Sequence, residues 1–161
     1  MPAGTDQPLP HRVISGGQTG VDRAALDTAI ALGIDHGGWC PRGRLSEDGR
    51  IADHYQLVET ASPDYWVRTE QNVIDSDGTL ILYRLALSGG TELTYRLAIK
   101  HTRPHLLVDL EDQPDPADAS EWIRANNISI LNVAGPRESS ASGIAQQAQH
   151  FLAQVLAKSR S

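Results

Sequence analysis

The chain is poor in lysine and cysteine, and each shortage closes off a class of function. Only two of its 161 residues are lysine, Lys100 and Lys158, against twelve arginines. Neither lysine follows a glycine-rich turn, so the Walker arrangement that brings a lysine to the β- and γ-phosphates is missing. The one cysteine, Cys40, excludes an intrachain disulfide and leaves no sign of an oxidising compartment. Basic residues number 14 against 20 acidic ones, giving a net charge of −6, the opposite of a nucleic-acid footprint. No apolar run approaches the roughly 18 residues of a membrane span, and residues 1–10 lack the apolar stretch of a secretory signal. A cytoplasmic protein with no nucleic-acid or membrane partner is expected. At 161 residues and 40% hydrophobic content the chain can bury one core. One domain over 11–161 is expected, after a polar, proline-containing, disordered tail over 1–10.

What the chain does have is glycine, placed where strands end. Gly16-Gly17-Gln18-Thr19-Gly20 follows the apolar run Val13-Ile14, Ser88-Gly89-Gly90-Thr91 follows Leu80 to Tyr83, and Gly135-Pro136-Arg137 follows Ile130 to Val133. In a parallel α/β sheet the loops leaving the carboxyl ends of the strands open on one edge, so three such turns can converge on one ligand. Glycine lets the backbone approach an anion, and a helix starting after the turn aims free N–H groups at it. Gly17, Thr19, Gly90 and Thr91 are therefore expected on one rim, with backbone amides, hydroxyls and arginine forks as the recognition chemistry.

Periodicity supplies the frame. Strands are predicted over 11–15, 56–59, 79–83, 105–109 and 129–133, and helices over 21–32, about 63–75, 91–101, 121–125 and 144–156. Ser62-Pro63 offers an N-cap and a first-turn proline to the second helix. Residues 34–50, which hold Gly37, Gly38, Gly43 and Gly49, read as a long irregular loop, and 111–119 as a surface connection. The repeated order of strand, loop and helix argues a Rossmann-like, mostly parallel sheet with helices on both faces.

The arginines Arg23, Arg42, Arg44, Arg50, Arg68 and Arg137 lie in or beside predicted loops, where a planar guanidinium grips phosphate with two bonds; a compositional preference for Arg explains them as well. Arg68 and Asn72, four apart on one helix face, either reach the ligand or are solvated. Cys40, beside Pro41 and Arg42, is either a soft thiolate ligand or packing against Trp39. His36, Cys40 and His54 have no metal-site spacing. Asp22 with Asp27, and Asp75 with Asp77, suit Mg²⁺ held through water, or equally a helix start and a turn. Trp66 reads as core or interface, and a homo-oligomer is expected.

The string from Ile14 to Asp27, with Gly37-Gly38-Trp39-Cys40-Pro41, Asp75 to Thr79, Gly89-Gly90-Thr91 and Leu131 to Glu138, resembles the bacterial molybdenum carrier family. That family is a circularly permuted YpsA-like branch of the superfamily that includes DprA and the LOG proteins. The resemblance spans roughly 13–156 and implies a Rossmann-like fold and a phosphate-bearing ligand, either the molybdenum cofactor, a phosphorylated pterin, or a nucleotide. One departure separates the chain from LOG enzymes, which cleave the N-glycosidic bond of nucleoside monophosphates. Their second glycine loop resembles Pro-Gly-Gly-x-Gly-Thr-x-x-Glu, with the glutamate in catalysis. Here Thr94 stands where that glutamate would be. Glu92 comes two residues early, about 200° around a helix. A carrier or binding module is the favoured class, and a nucleotide N-glycoside hydrolase the alternative, with Asp22, Glu70 and Glu138 as replacement carboxylates.

Overall fold

The computed structural model describes residues 8–160. Its centre is a five-stranded sheet of β1 (Arg12–Ile14), β2 (Asp35–Gly37), β7 (Gly78–Tyr83), β8 (His105–Asp109) and β9 (Ile130–Ala134), in the order β2-β1-β9-β7-β8. Every neighbouring pair in it is parallel. Two small ribbons stand apart: β3 (Trp39–Cys40) with β6 (Val58–Glu59), and the antiparallel β4 (Leu45–Ser46) with β5 (Gly49–Arg50). In the central strand β7, Leu80, Ile81 and Leu82 are consecutive and fully buried, which is the signature of a strand covered on both faces. The α/β, Rossmann-like expectation is met.

Two helix layers provide the cover. α1 (Val21–Leu32) and α4 (Pro116–Ala125) both pack on α5 (Ile144–Ser159), while α2 (Tyr65–Asp75) packs on α3 (Gly89–Lys100). Ile144, Ala148, Phe151, Leu152, Val155 and Leu156 form the buried stripe of α5, as their helical spacing requires. The second layer has its own cluster in Val73, Leu97 and Ala98.

Several boundaries differ from the sequence reading. The expected loop over 34–50 contains β2 to β5, strands too short to show a period of two. α4 starts at Pro116, where Asp115 accepts the Ala117 N–H at 2.9 Å and the proline occupies the first turn, so the acidic connection is half helix. α2 starts at Tyr65, because Ser62 is spent on a turn: its hydroxyl accepts the Asp64 N–H. Of the tail expected to be disordered, residues 1–7 lie outside the described residues; Pro10 is buried, Leu9 packs on the core, and Arg160 donates to the Pro8 carbonyl at 3.3 Å. No described helix is long and apolar enough to cross a membrane.

Candidate functional site

The adjacent strands β1, β9 and β7 end on one edge of the sheet, and the three glycine turns meet there around a cleft of about 310 Å³. Gly16 and Gln18 come from the β1–α1 loop, Ser88, Gly89, Gly90 and Thr91 from the start of α3, and Gly135, Pro136 and Arg137 from the loop after β9. Asp22 of α1 and Arg68 and Asn72 of α2 complete the walls. This is the crevice at the carboxyl ends of the strands where open α/β sheets bind ligands.

The loops come this close because side chains are missing between them. Gly20 has φ +80°, and a Cβ there would lie 2.8 Å from the Glu138 N and clash with the Pro136 carbonyl. A Cβ on Gly135 would lie 2.5 Å from Val21 Cγ2. The Val21 N–H donates to the Pro136 carbonyl at 3.2 Å, which ties the first and third turns together.

The helix ends differ in what satisfies them. At α5 the Glu138 carboxylate accepts the Gly143 and Ala145 N–H groups. At α3 the capping residue Ser88 makes no side-chain cap, and Cβ atoms built on Gly89 and Gly90 meet nothing within 4 Å. The first N–H groups of a helix have no partner within it, so α3 presents its positive end to the cleft uncovered.

Two arginines line the same cleft. Arg68 is buried, donates to the Gly16 carbonyl at 2.7 Å, and lies over the Tyr65 ring at 5.3 Å; Arg137 lies over the same ring at 5.7 Å. Tyr65, the first residue of α2, thus holds both by cation–π contact. Asp22 is 7% exposed and is the one carboxylate among the cleft residues. Burial raises its pKa from 3.8 to about 6, against the opposing effect of Arg68 at 3.9 Å and the Gln18 N–H at 3.3 Å.

Other expected site residues serve the scaffold. Gly17, at φ +79°, faces Leu57 and Ile51, and Thr19 donates to Glu47 at 2.5 Å while accepting the Glu138 N–H; neither lines the cleft, which corrects the expected rim of Gly17, Thr19, Gly90 and Thr91. Arg23 braces the β4–β5 hairpin through Asp48 at 2.7 Å. Arg42 is exposed and outside the cleft, and Arg44 is buried among the carbonyls of Ile51, Ala52, Tyr55 and Leu57. Cys40 is fully buried with Leu26, Ile51, Tyr55 and Leu57, its thiol pKa raised by burial, so it packs and does not reach the cleft. Asn72 lines the cleft, but its amide pairs both ways with the Trp39 backbone, at 2.8 and 3.0 Å. Of the Mg²⁺ candidates, Asp27 accepts from Tyr55, Asp75 from Trp39 Nε1, and Asp77 from the Ser129 and Ile130 N–H groups. Trp66 is 56% exposed.

The LOG comparison resolves locally. Thr94 lines the cleft and its hydroxyl donates back to the Gly90 carbonyl at 2.9 Å, while Glu92 stands outside, paired with Arg96 at 2.6 Å. Glu70 is held by His101 and Lys100. Sequence reasoning missed Tyr65, Thr69, Asn132, Ser139 and Ser140. Asn132 carried a signal, a polar residue in the middle of the apolar β9, where it is 3% exposed and donates to Thr79. Tyr65 carried none, since its role rests on two arginines distant in sequence.

Residues 13–156 match the model of the circularly permutated YpsA SLOG family. The chain belongs to that family. It is similar to the crystal structure of a "putative molybdenum carrier protein" from Syntrophus aciditrophicus SB, with 44% identity, a TM-score of 0.88, and coverage of 96% of this chain and 99% of that one. A structure of (E)-4-hydroxy-3-methyl-but-2-enyl diphosphate reductase, the terminal enzyme of the non-mevalonate pathway, is 13% identical over 89% of this chain and 59% of that chain, at a TM-score of 0.39 that bears on neither fold nor site. No curated protein matches the chain.

Proposed function

We propose that this SLOG-family protein binds and carries a small phosphate-bearing ligand, a phosphorylated pterin such as the molybdenum cofactor or a nucleotide derivative. The observation that carries the reading is the uncovered start of α3: the bare Gly89-Gly90 turn faces a cleft that also holds Arg68 and Arg137. Amide N–H groups, a helix dipole and guanidinium groups are the donors a phosphate needs. The description of the 44% identical relative as a molybdenum carrier supports the same class.

Gly90 gives the cleanest test, because a side chain there meets open space. In Gly90→Val the thermal midpoint should stay within a few degrees of wild type, while calorimetry with inorganic phosphate and native mass spectrometry of the purified protein should show binding lost. Arg137→Ala should weaken phosphate binding by about 1.5–3 kcal/mol, the range for a hydrogen bond to a charged group. Unchanged affinity in both variants would sink the reading.

A second reading, an N-glycoside hydrolase, is favoured by Asp22, whose pKa of about 6 suits proton transfer near neutrality. Against it, the loop position that carries the glutamate in LOG enzymes offers only the Thr94 hydroxyl, already spent on Gly90. The expected result with AMP, GMP, IMP and CMP is no release of free base, followed by chromatography. Turnover above about 1 s⁻¹, the low end of ordinary enzymes, would establish the enzyme instead.

A further inference from the structure

Gln18 is a buried amide with one end tied and the other without a partner. Its Oε1 accepts the Thr19 N–H at 3.0 Å and the Glu47 N–H at 2.9 Å. A reversed amide would set N–H against N–H at both contacts, so the orientation is fixed and Nε2 is the group left over. That nitrogen is buried and has no hydrogen-bond partner among the described residues, although the side chain is only 5% exposed and lines the cleft. An unmet buried donor in a native fold calls for an explanation, and a ligand acceptor is the direct one.

Its neighbour in the same wall has the opposite character. The Gln18 main-chain N–H donates to Asp22 Oδ2 at 3.3 Å, and both residues line the cleft. The wall therefore offers one unmet side-chain donor and one carboxylate acceptor, in the cleft that also receives the N-terminus of α3.

Resting on the phosphate-ligand reading above, we infer that Gln18 and Asp22 read the lactam edge of the ligand's ring: Gln18 Nε2 donates to a ring carbonyl, and Asp22 accepts the adjacent ring N–H. Guanine, hypoxanthine and pterin all carry that edge. Adenine and cytosine carry its reverse, an amino donor beside a bare ring nitrogen. Against this wall the amino group would meet the Nε2 donor, and the ring nitrogen would meet the carboxylate. Sites that hydrogen-bond a ligand group discriminate strongly against an analogue that leaves their buried groups unpaired.

Calorimetry at pH 7.5 with inorganic phosphate, AMP, GMP, IMP and 6-hydroxymethylpterin phosphate tests this on the wild-type protein, with no variant needed. At least one lactam ester should bind about tenfold or more tighter than AMP, and comparison of GMP with the pterin ester tells which ring the cleft takes. Gln18→Glu keeps an oxygen for the Thr19 and Glu47 N–H groups and replaces the free donor with an acceptor, so it should abolish or reverse the preference, with circular dichroism and the thermal midpoint reporting on the fold. Equal affinity for AMP and the lactam esters overturns the inference, as does a preference that survives in folded Gln18→Glu. If phosphate binds and the lactam esters bind no tighter than AMP, only this inference falls. If neither phosphate nor any ester binds, the phosphate-ligand reading falls with it.

Discussion

Gly20→Ala is expected to lower stability by about 2–6 kcal/mol, the sum of backbone strain of roughly 1–3 kcal/mol and overpacking of a similar size. For a chain of this length that is a fall in thermal midpoint on the order of 10 °C. The cause is the closeness of two loops that build the cleft. Gly20 has φ +80° and ψ −131°, a conformation L residues rarely adopt, and its Cβ would meet backbone atoms of Pro136, Arg137 and Glu138 that have no rotamer with which to give way. Gly33→Ala is the matched control. It too has a positive φ, +71°, at the end of the same helix, but a Cβ there meets nothing within 4 Å, so it should lose only the roughly 1–2 kcal/mol of a left-handed residue. Equal losses in thermal unfolding would mean that backbone strain alone matters and that contact between the loops does not.

That pairing of loops also marks how far the sequence could be read. The strands and helices whose apolar residues repeat over several turns, α5 and β7 above all, were legible because periodicity reports burial directly. The three glycine turns were legible as strand-end loops, and in a parallel sheet that already places them on one edge. What was not legible was the division of labour within each turn. Gly16 and Gly17 are adjacent in sequence, but the first backs onto Arg68 beside the cleft and the second onto Leu57 and Ile51. Nothing local distinguishes them; the difference comes from the 45–57 segment folding across one side. The same segment explains Cys40 and Arg44, loop residues by composition that its packing buries. Arg68 and Arg137 could be named as candidates, but their joint seat on Tyr65 depends on tertiary contact alone.

The buried carboxyl in the cleft should make stability depend on pH in a direction opposite to an ordinary surface carboxylate. Burial holds the Asp22 pKa at about 6 in the fold, above the ordinary value of 3.8 that it regains on unfolding. The folded state therefore binds this proton more tightly than the unfolded state does. Its contribution is fully present below about pH 4 and is lost as pH rises through about 6, amounting at most to roughly 3 kcal/mol. Asp22→Asn cannot ionise, so its stability relative to wild type should climb between about pH 4 and pH 6 and then level off. Chemical denaturation at half-unit intervals measures this difference directly, and a flat difference curve from pH 4 to pH 7 would show that Asp22 is no more buried than a surface acid. Arg68 sets where the climb ends. Its guanidinium opposes the effect of burial from 3.9 Å, so Arg68→Ala should move the end of the climb above pH 6. That variant should also be less stable at neutral pH by about 1.5–3 kcal/mol, because the Gly16 carbonyl loses its charged donor.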